Sequence, residues 1–105
     1  MAGDDEIIKR IKALVMKTEP GAKVILYGSH ARGDFNKNSD YDILILLDKS
    51  EINREDETNV KYPLYDLEFE TGKIMSVLVL SQKEWEQKHK ITPFYENVQK
   101  EGVVL

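Results

Sequence analysis

Ten residues separate a glycine-serine pair, Gly28-Ser29, from two aspartates, Asp40 and Asp42, that lead into the apolar run Ile43-Leu44-Ile45-Leu46-Leu47. Val24 to Tyr27 is a short β-favouring run that stops at Gly28, where the missing Cβ lets the backbone turn sharply or approach a ligand. If residues 29 to 33 open a helix, the amides near Ser29 and His30 lack intrahelical partners and attract an anion, with a triphosphate as the candidate. Side chains alternate along a strand, so Asp40 and Asp42 share one face about 6–7 Å apart, a gap that divalent ions and phosphate oxygens bridge. This is the chemistry of nucleotides.

The segment Gly28-Ser29-His30-Ala31-Arg32-Gly33 with Ser39-Asp40-Tyr41-Asp42 resembles the nucleotidyltransferase domains of the DNA polymerase beta superfamily, and more narrowly its single-domain members, the minimal nucleotidyltransferases. The resemblance is specific over residues 24 to 47, weaker over 65 to 80 and general elsewhere. It implies that Gly28 and Ser29 hold the nucleotide phosphates, that Asp40 and Asp42 ligate two divalent ions, magnesium with manganese as the substitute, and that an acidic residue on a later strand completes the site.

Each piece has a plain structural reading. A Gly-Ser after an apolar run is usually a turn, and two aspartates at a strand end are commonly surface charges; their conjunction at this spacing favours the nucleotide site. Arg32 either touches a phosphate, for which its planar fork is well shaped, or solvates the loop. Asp34-Phe35-Asn36-Lys37-Asn38 mimics the start of a calcium-binding EF-hand loop, but the required sixth and twelfth places hold Ser39 and Ile45 instead of Gly and Glu. The calcium reading fails, and Asn36, Asn38 and Ser39 read as turn formers. His30 and His89 are isolated, and the chain has no cysteine, so zinc, disulfide and thiol chemistry lack their residues.

The 105 residues imply a single domain over 1–105, a nucleotidyltransferase domain by the resemblance, without room for a separate acceptor-binding domain. A hydrophobic share of 41% with 32% charged residues is that of a soluble globular protein, and no apolar stretch approaches the length of a membrane span. The N-terminal Met1-Ala2-Gly3-Asp4-Asp5 has no basic segment and apolar core of a signal peptide, so the expected location is cytoplasmic. The net charge of −4 argues against general nucleic-acid binding, whereas a magnesium-chelated nucleotide brings its own neutralising charge.

The elements that must position these residues follow from periodicity. Asp4 or Asp5 caps a helix running to about Lys17 with Ile7, Ile8, Ile11, Leu14 and Val15 on one stripe, ended by Pro20-Gly21. Residues 48 to 59 are highly charged and read as an exposed loop or a short helix. Tyr65-Asp66-Leu67-Glu68-Phe69-Glu70 alternates apolar and acidic residues before Thr71-Gly72 and the run 74 to 80, a pattern that predicts a hairpin. Its strand would turn Asp66, Glu68 and Glu70 toward the aspartate pair, so Glu68, then Asp66, are the candidates for the third carboxylate and metal ligand that the resemblance implies. The family more often has aspartate there. Ser81 to Glu84 has a capping-box pattern before a helix carrying Trp85, which reads as a core or interface anchor. Thr92-Pro93 starts a helix with Phe94, Tyr95 and Val98 on one side, and the tail Val103-Val104-Leu105 must dock on its own sheet or on another chain, a second copy included.

The expected fold is α/β (α+β): a small mixed sheet of about four strands packed by helices, as in polymerase beta-like nucleotidyltransferases. The expected activity is transfer of a nucleoside monophosphate, AMP foremost, from a nucleoside triphosphate to a hydroxyl. The catalytic residues would be Asp40, Asp42, Glu68 and Asp66, with Gly28, Ser29 and Arg32 on the phosphates. The alternative that the resemblance supplies is an antitoxin-like protein that binds a HEPN-type partner, with a Tyr or Ser of that partner as acceptor; transfer to a small hydroxylated compound, as in aminoglycoside-modifying relatives, normally involves additional domains.

Overall fold

The computed structural model describes the backbone of residues 2–87 and 89–105 and the side chains of residues 6–87 and 89–105. The chain runs α1 (Ala2–Thr18), β1 (Lys23–Tyr27), α2 (Ser29–Arg32), β2 (Tyr41–Leu47), α3 (Arg54–Thr71), β3 (Met75–Ser81), α4 (Gln82–Gln87), α5 (Pro93–Glu101) and β4 (Val103–Val104). The strands form the expected mixed sheet of four strands, open and in the order β3-β2-β1-β4. β1 is antiparallel to β2, with Tyr27 level with Asp42, and β3 is parallel to β2, with Ser76 level with Asp42.

The alternation of side chains divides the core in two. Tyr41, Ile43, Ile45 and Leu47 join Val24, Leu26, Met75 and Val79 under α1 and α3, which contribute Ile7, Ile11, Val15, Val60, Leu64 and Leu67. On the other face Ile25, Leu44 and Leu46 pack against Trp85 of α4 and Val98 of α5. Both faces of β2 are covered, which is why it reads as a continuous apolar run. Asp42 alone interrupts its burial. α1 begins ahead of Asp4 and Asp5, whose side chains lie outside the described set.

Residues 65 to 70 are helical, which corrects the expected hairpin. Val60, Leu64 and Leu67 recur at helical spacing and are buried, whereas Tyr65 and Phe69, which a strand would have turned inward, are 45% and 95% exposed. Asn53 and Asp56 cap the helix reciprocally, and Thr71-Gly72 closes it: Gly72, at φ 73°, donates its N–H to Glu68 O instead of turning a hairpin. Pro63 stands within the helix, at a position that removes one backbone donor. Burial of the Val60-Leu64-Leu67 stripe outweighs both the proline and the local alternation.

The C-terminal expectations hold. Ser81 Oγ accepts from Glu84 N at 2.9 Å at the start of α4, Trp85 is buried, and Thr92 Oγ1 accepts from Tyr95 N at 3.1 Å with Pro93 opening α5. The tail docks on its own sheet, pairing Val104 with Ile25 and Val103 with Leu26. Among the described residues no helix is long and apolar enough to cross a membrane.

Candidate functional site

At the end of β1, Gly28 has φ 74° and ψ −156°, backbone that side-chain-bearing residues rarely adopt. It needs to be glycine for a second reason: a Cβ there would run into the Asp42 carboxylate, with Cγ only 3.1 Å away. The turn and the aspartate strand therefore meet. The first intrahelical bonds of α2 are from Ala31 N and Arg32 N to Gly28 O, so the amides of Ser29 and His30 lie ahead of the ladder, and Gly33, at φ 87°, closes the turn.

His30 braces this turn against β2. Its ring stacks on Tyr41 at 3.8 Å and on Phe35 at 4.4 Å, and its Nε2–H donates to Ser39 O at 3.2 Å. The carbonyl partner requires a proton on Nε2, and Nδ1 is buried and meets no hydrogen-bond partner among the described residues. Asn36 and Ser39 form the turns expected of them, with Asn36 Oδ1 accepting from Asn38 N and Ser39 Oγ from Asn36 N.

Asp40 is exposed just before β2, and Asp42 is half-buried on the α4 and α5 side of the sheet. Burial, then the neighbouring Asp40 charge, raise the Asp42 pKa above the ordinary carboxylate value; His30 and Arg32 oppose the shift and Glu101 adds to it. Asp42 also helps hold the Tyr27 hydroxyl above its ordinary pKa, after burial. A carboxylate crowded by like charge is stabilised by a cation. Magnesium is characteristically held by one or two carboxylates together with phosphate oxygens, and the Asp40-Asp42 pair fits that donor set. Among the described residues no group of three or more acidic, histidine or cysteine ligands gathers.

A carboxylate not anticipated from the sequence completes the site's charge. Glu101, the last residue of α5, accepts from Gly28 N through Oε1 at 3.1 Å and from Arg32 Nη1 through Oε2 at 3.0 Å. Arg32 also reaches Asp34 Oδ2 from Nε at 3.0 Å, so both plain and phosphate-directed readings of Arg32 start from a side chain already engaged by anions. Glu101 was legible in principle. Once the tail is docked antiparallel to β1, the register that pairs Leu26 with Val103 brings residue 101 level with Gly28.

Glu68 and Asp66 stand on α3, not on a strand. Glu68 accepts from Met75 N at 2.7 Å, tying the helix end to the start of β3. α3 packs on the Tyr41-Ile43 face of the sheet, opposite the face of Asp42, so the acids of α3 are not brought to the aspartate pair. The residue that the later strand sets beside Asp42 is Ser76, which is exposed.

Two solved structures share this fold. One, described as a toxin-antitoxin with AMP-PNP, aligns with a TM-score of 0.65 at 16% identity over 91% of this chain and 69% of that one. The other, described as a putative nucleotidyltransferase from Sulfolobus solfataricus, aligns with a TM-score of 0.59 at 25% identity over 94% of this chain and 76% of that one. No curated protein matches the sequence at a significant level. The family described as "Nucleotidyltransferase domain" matches residues 5–105, spanning the Gly-Ser turn, the aspartate pair and the docked tail, and the chain belongs to that family.

Proposed function

We propose that the chain binds a nucleoside triphosphate with divalent ions in the notch between Gly28-Ser29 and Asp40-Asp42 and transfers the nucleoside monophosphate, AMP foremost, to a hydroxyl acceptor. The observation that carries this reading is the direct apposition of Gly28 and Asp42, with a backbone N–H there that already holds an anionic group. The Gly28 and Ser29 backbone and Arg32 orient the phosphates, and Asp40 and Asp42 hold magnesium, or manganese, against them. Bound divalent ions lower the pKa of the attacking hydroxyl and stabilise the charge on the leaving pyrophosphate. The acceptor oxygen bonds to the α-phosphorus, the bond to the β-phosphate oxygen breaks, and the hydroxyl proton passes to solvent. Incubation with α-labelled nucleoside triphosphates, magnesium and host lysate tests it: label is transferred by the wild type and not by Asp40→Asn plus Asp42→Asn.

A second reading, an antitoxin-like protein with weak or no turnover that engages a HEPN-type partner, is favoured by two observations. The residue level with Asp42 on the later strand is Ser76, not an acid. Tyr62, Tyr65 and Phe69 of α3 are 62%, 45% and 95% exposed at positions that share one helix stripe, far more aromatic surface than a solvated helix needs. The toxin-antitoxin description of the first structural relative agrees with it. Under this reading Tyr62→Ser with Phe69→Ser abolishes co-purification with a co-expressed HEPN-type protein that the wild type captures and leaves nucleotide binding intact; unchanged co-purification removes the second reading.

A further inference from the structure

We propose that Glu101 is an intramolecular plug that occupies the phosphate seat of the ligand-free protein and must swing out before a polyphosphate enters. The proposal rests on the nucleotide site put forward above. One carboxylate oxygen of Glu101 sits on the Gly28 N–H at 3.1 Å and the other on the Arg32 guanidinium at 3.0 Å. These are the donors that a phosphate oxygen would use, and the carboxylate satisfies them with the same charge sign and the same two-oxygen geometry. Both groups cannot hold them at once.

The fold delivers the plug and leaves it movable. Pairing of Val103 and Val104 with β1 fixes residue 101 beside Gly28, and the backbone bond from Gly102 N to Val98 O at 2.7 Å ties off the helix end without using the Glu101 side chain. Side-chain rotation alone opens the seat. The Arg32 to Glu101 pair is partly exposed, with side-chain exposures of 46% and 25%, so it opposes a ligand modestly and is weakened by salt. The plug thereby sets a threshold: a ligand with several phosphates and its own metal displaces it, and a lone weak anion does not.

The test is titration of the wild type, Glu101→Gln and Glu101→Ala with two probes, magnesium tripolyphosphate and the magnesium complex of a non-hydrolysable ATP analogue, by calorimetry at low and high salt. Expected is tighter binding of both probes by both variants, about three- to tenfold at low salt, with the gap narrowing at high salt. If the wild type binds and both variants bind equally or more weakly, Glu101 is no plug, and the nucleotide reading stands without it. Should the variants tighten on tripolyphosphate while none of the three proteins binds the nucleotide analogue, the plug stands and the nucleotide reading falls. No binding of either probe to any of the three overturns both. Glu101→Gln preserves shape and helix, which keeps the answer independent of the alanine variant's folding.

Discussion

Two groups of carboxylates in this molecule have similar composition and opposite situations. On α3, Glu68 accepts the Met75 N–H and Glu70 pairs with Arg10, so those two charges are each used in local structure. At the sheet end, Asp42 lies against Gly28, Glu101 accepts from the Gly28 N–H, and Asp42 is held above its ordinary pKa by burial and by the like charge of Asp40 and Glu101. Carboxylates that are satisfied in place hold a fold together. Carboxylates gathered against their own repulsion mark a place where a cation and its ligand complete the balance.

The largest expected effect strikes the crowded group at its tightest point. Gly28→Ala forces a Cβ into positive φ and into the Asp42 carboxylate, which costs about 2 kcal/mol or more of stability and disrupts phosphate binding. Adding Asp42→Ala removes the collision but not the backbone strain, so the double variant is more stable than the sum of the singles predicts, a coupling read from a double-mutant cycle in urea. Strict additivity would show that Gly28 and Asp42 do not press on one another, and the contrast between the two carboxylate groups would lose its steric basis.

Next in size is the α3 side. Glu68→Ala leaves the part-buried Met75 N–H without its acceptor and costs about 1 kcal/mol, while magnesium-nucleotide affinity stays at the wild-type level. A large loss of affinity with unchanged stability would instead join Glu68 to Asp40 and Asp42 and erase the distinction.

What could be read from the sequence follows the same division. The β1 run, Gly28-Ser29, the Asp40-Asp42 alternation and the buried β2 are close in the chain, and local rules for turns and strands suffice to bring Gly28 and Asp42 together. The α3 segment misled because Tyr65-Leu67-Phe69 carries a two-residue period over a stretch whose burial is decided by Val60, Leu64 and Leu67 against a distant sheet. Tertiary burial overrode a local pattern. Glu101 escaped notice because its position depends on the register of a two-residue strand, and Ser76 because its neighbour across the parallel pairing is set by the whole α3 crossover.

The smallest effects carry opposite signs for the two groups, and pH separates them. Asp42 has a folded pKa above its ordinary 3.8, so the folded state holds its proton longer than the unfolded chain does, and stability falls as pH rises from about that value through the folded pKa. Asp42→Asn therefore raises the melting temperature at pH 7 by a few degrees at most, with the gain vanishing toward pH 3. Glu70 has a folded pKa below its ordinary 4.5, held down by the Arg10 hydrogen bond and charge, so its contribution is present above that value and lost as pH falls. Glu70→Gln lowers the melting temperature slightly at pH 7, less so at high salt because the pair is exposed, and not at all in acid. Magnesium chloride should then stabilise the wild type at pH 7 beyond what sodium chloride of equal ionic strength does, and fail to do so for Asp42→Asn, because the penalty that the cation relieves is already gone. Equal responses of the two proteins to magnesium would mean that the crowding at Asp42 is only a cost of packing and serves no cation.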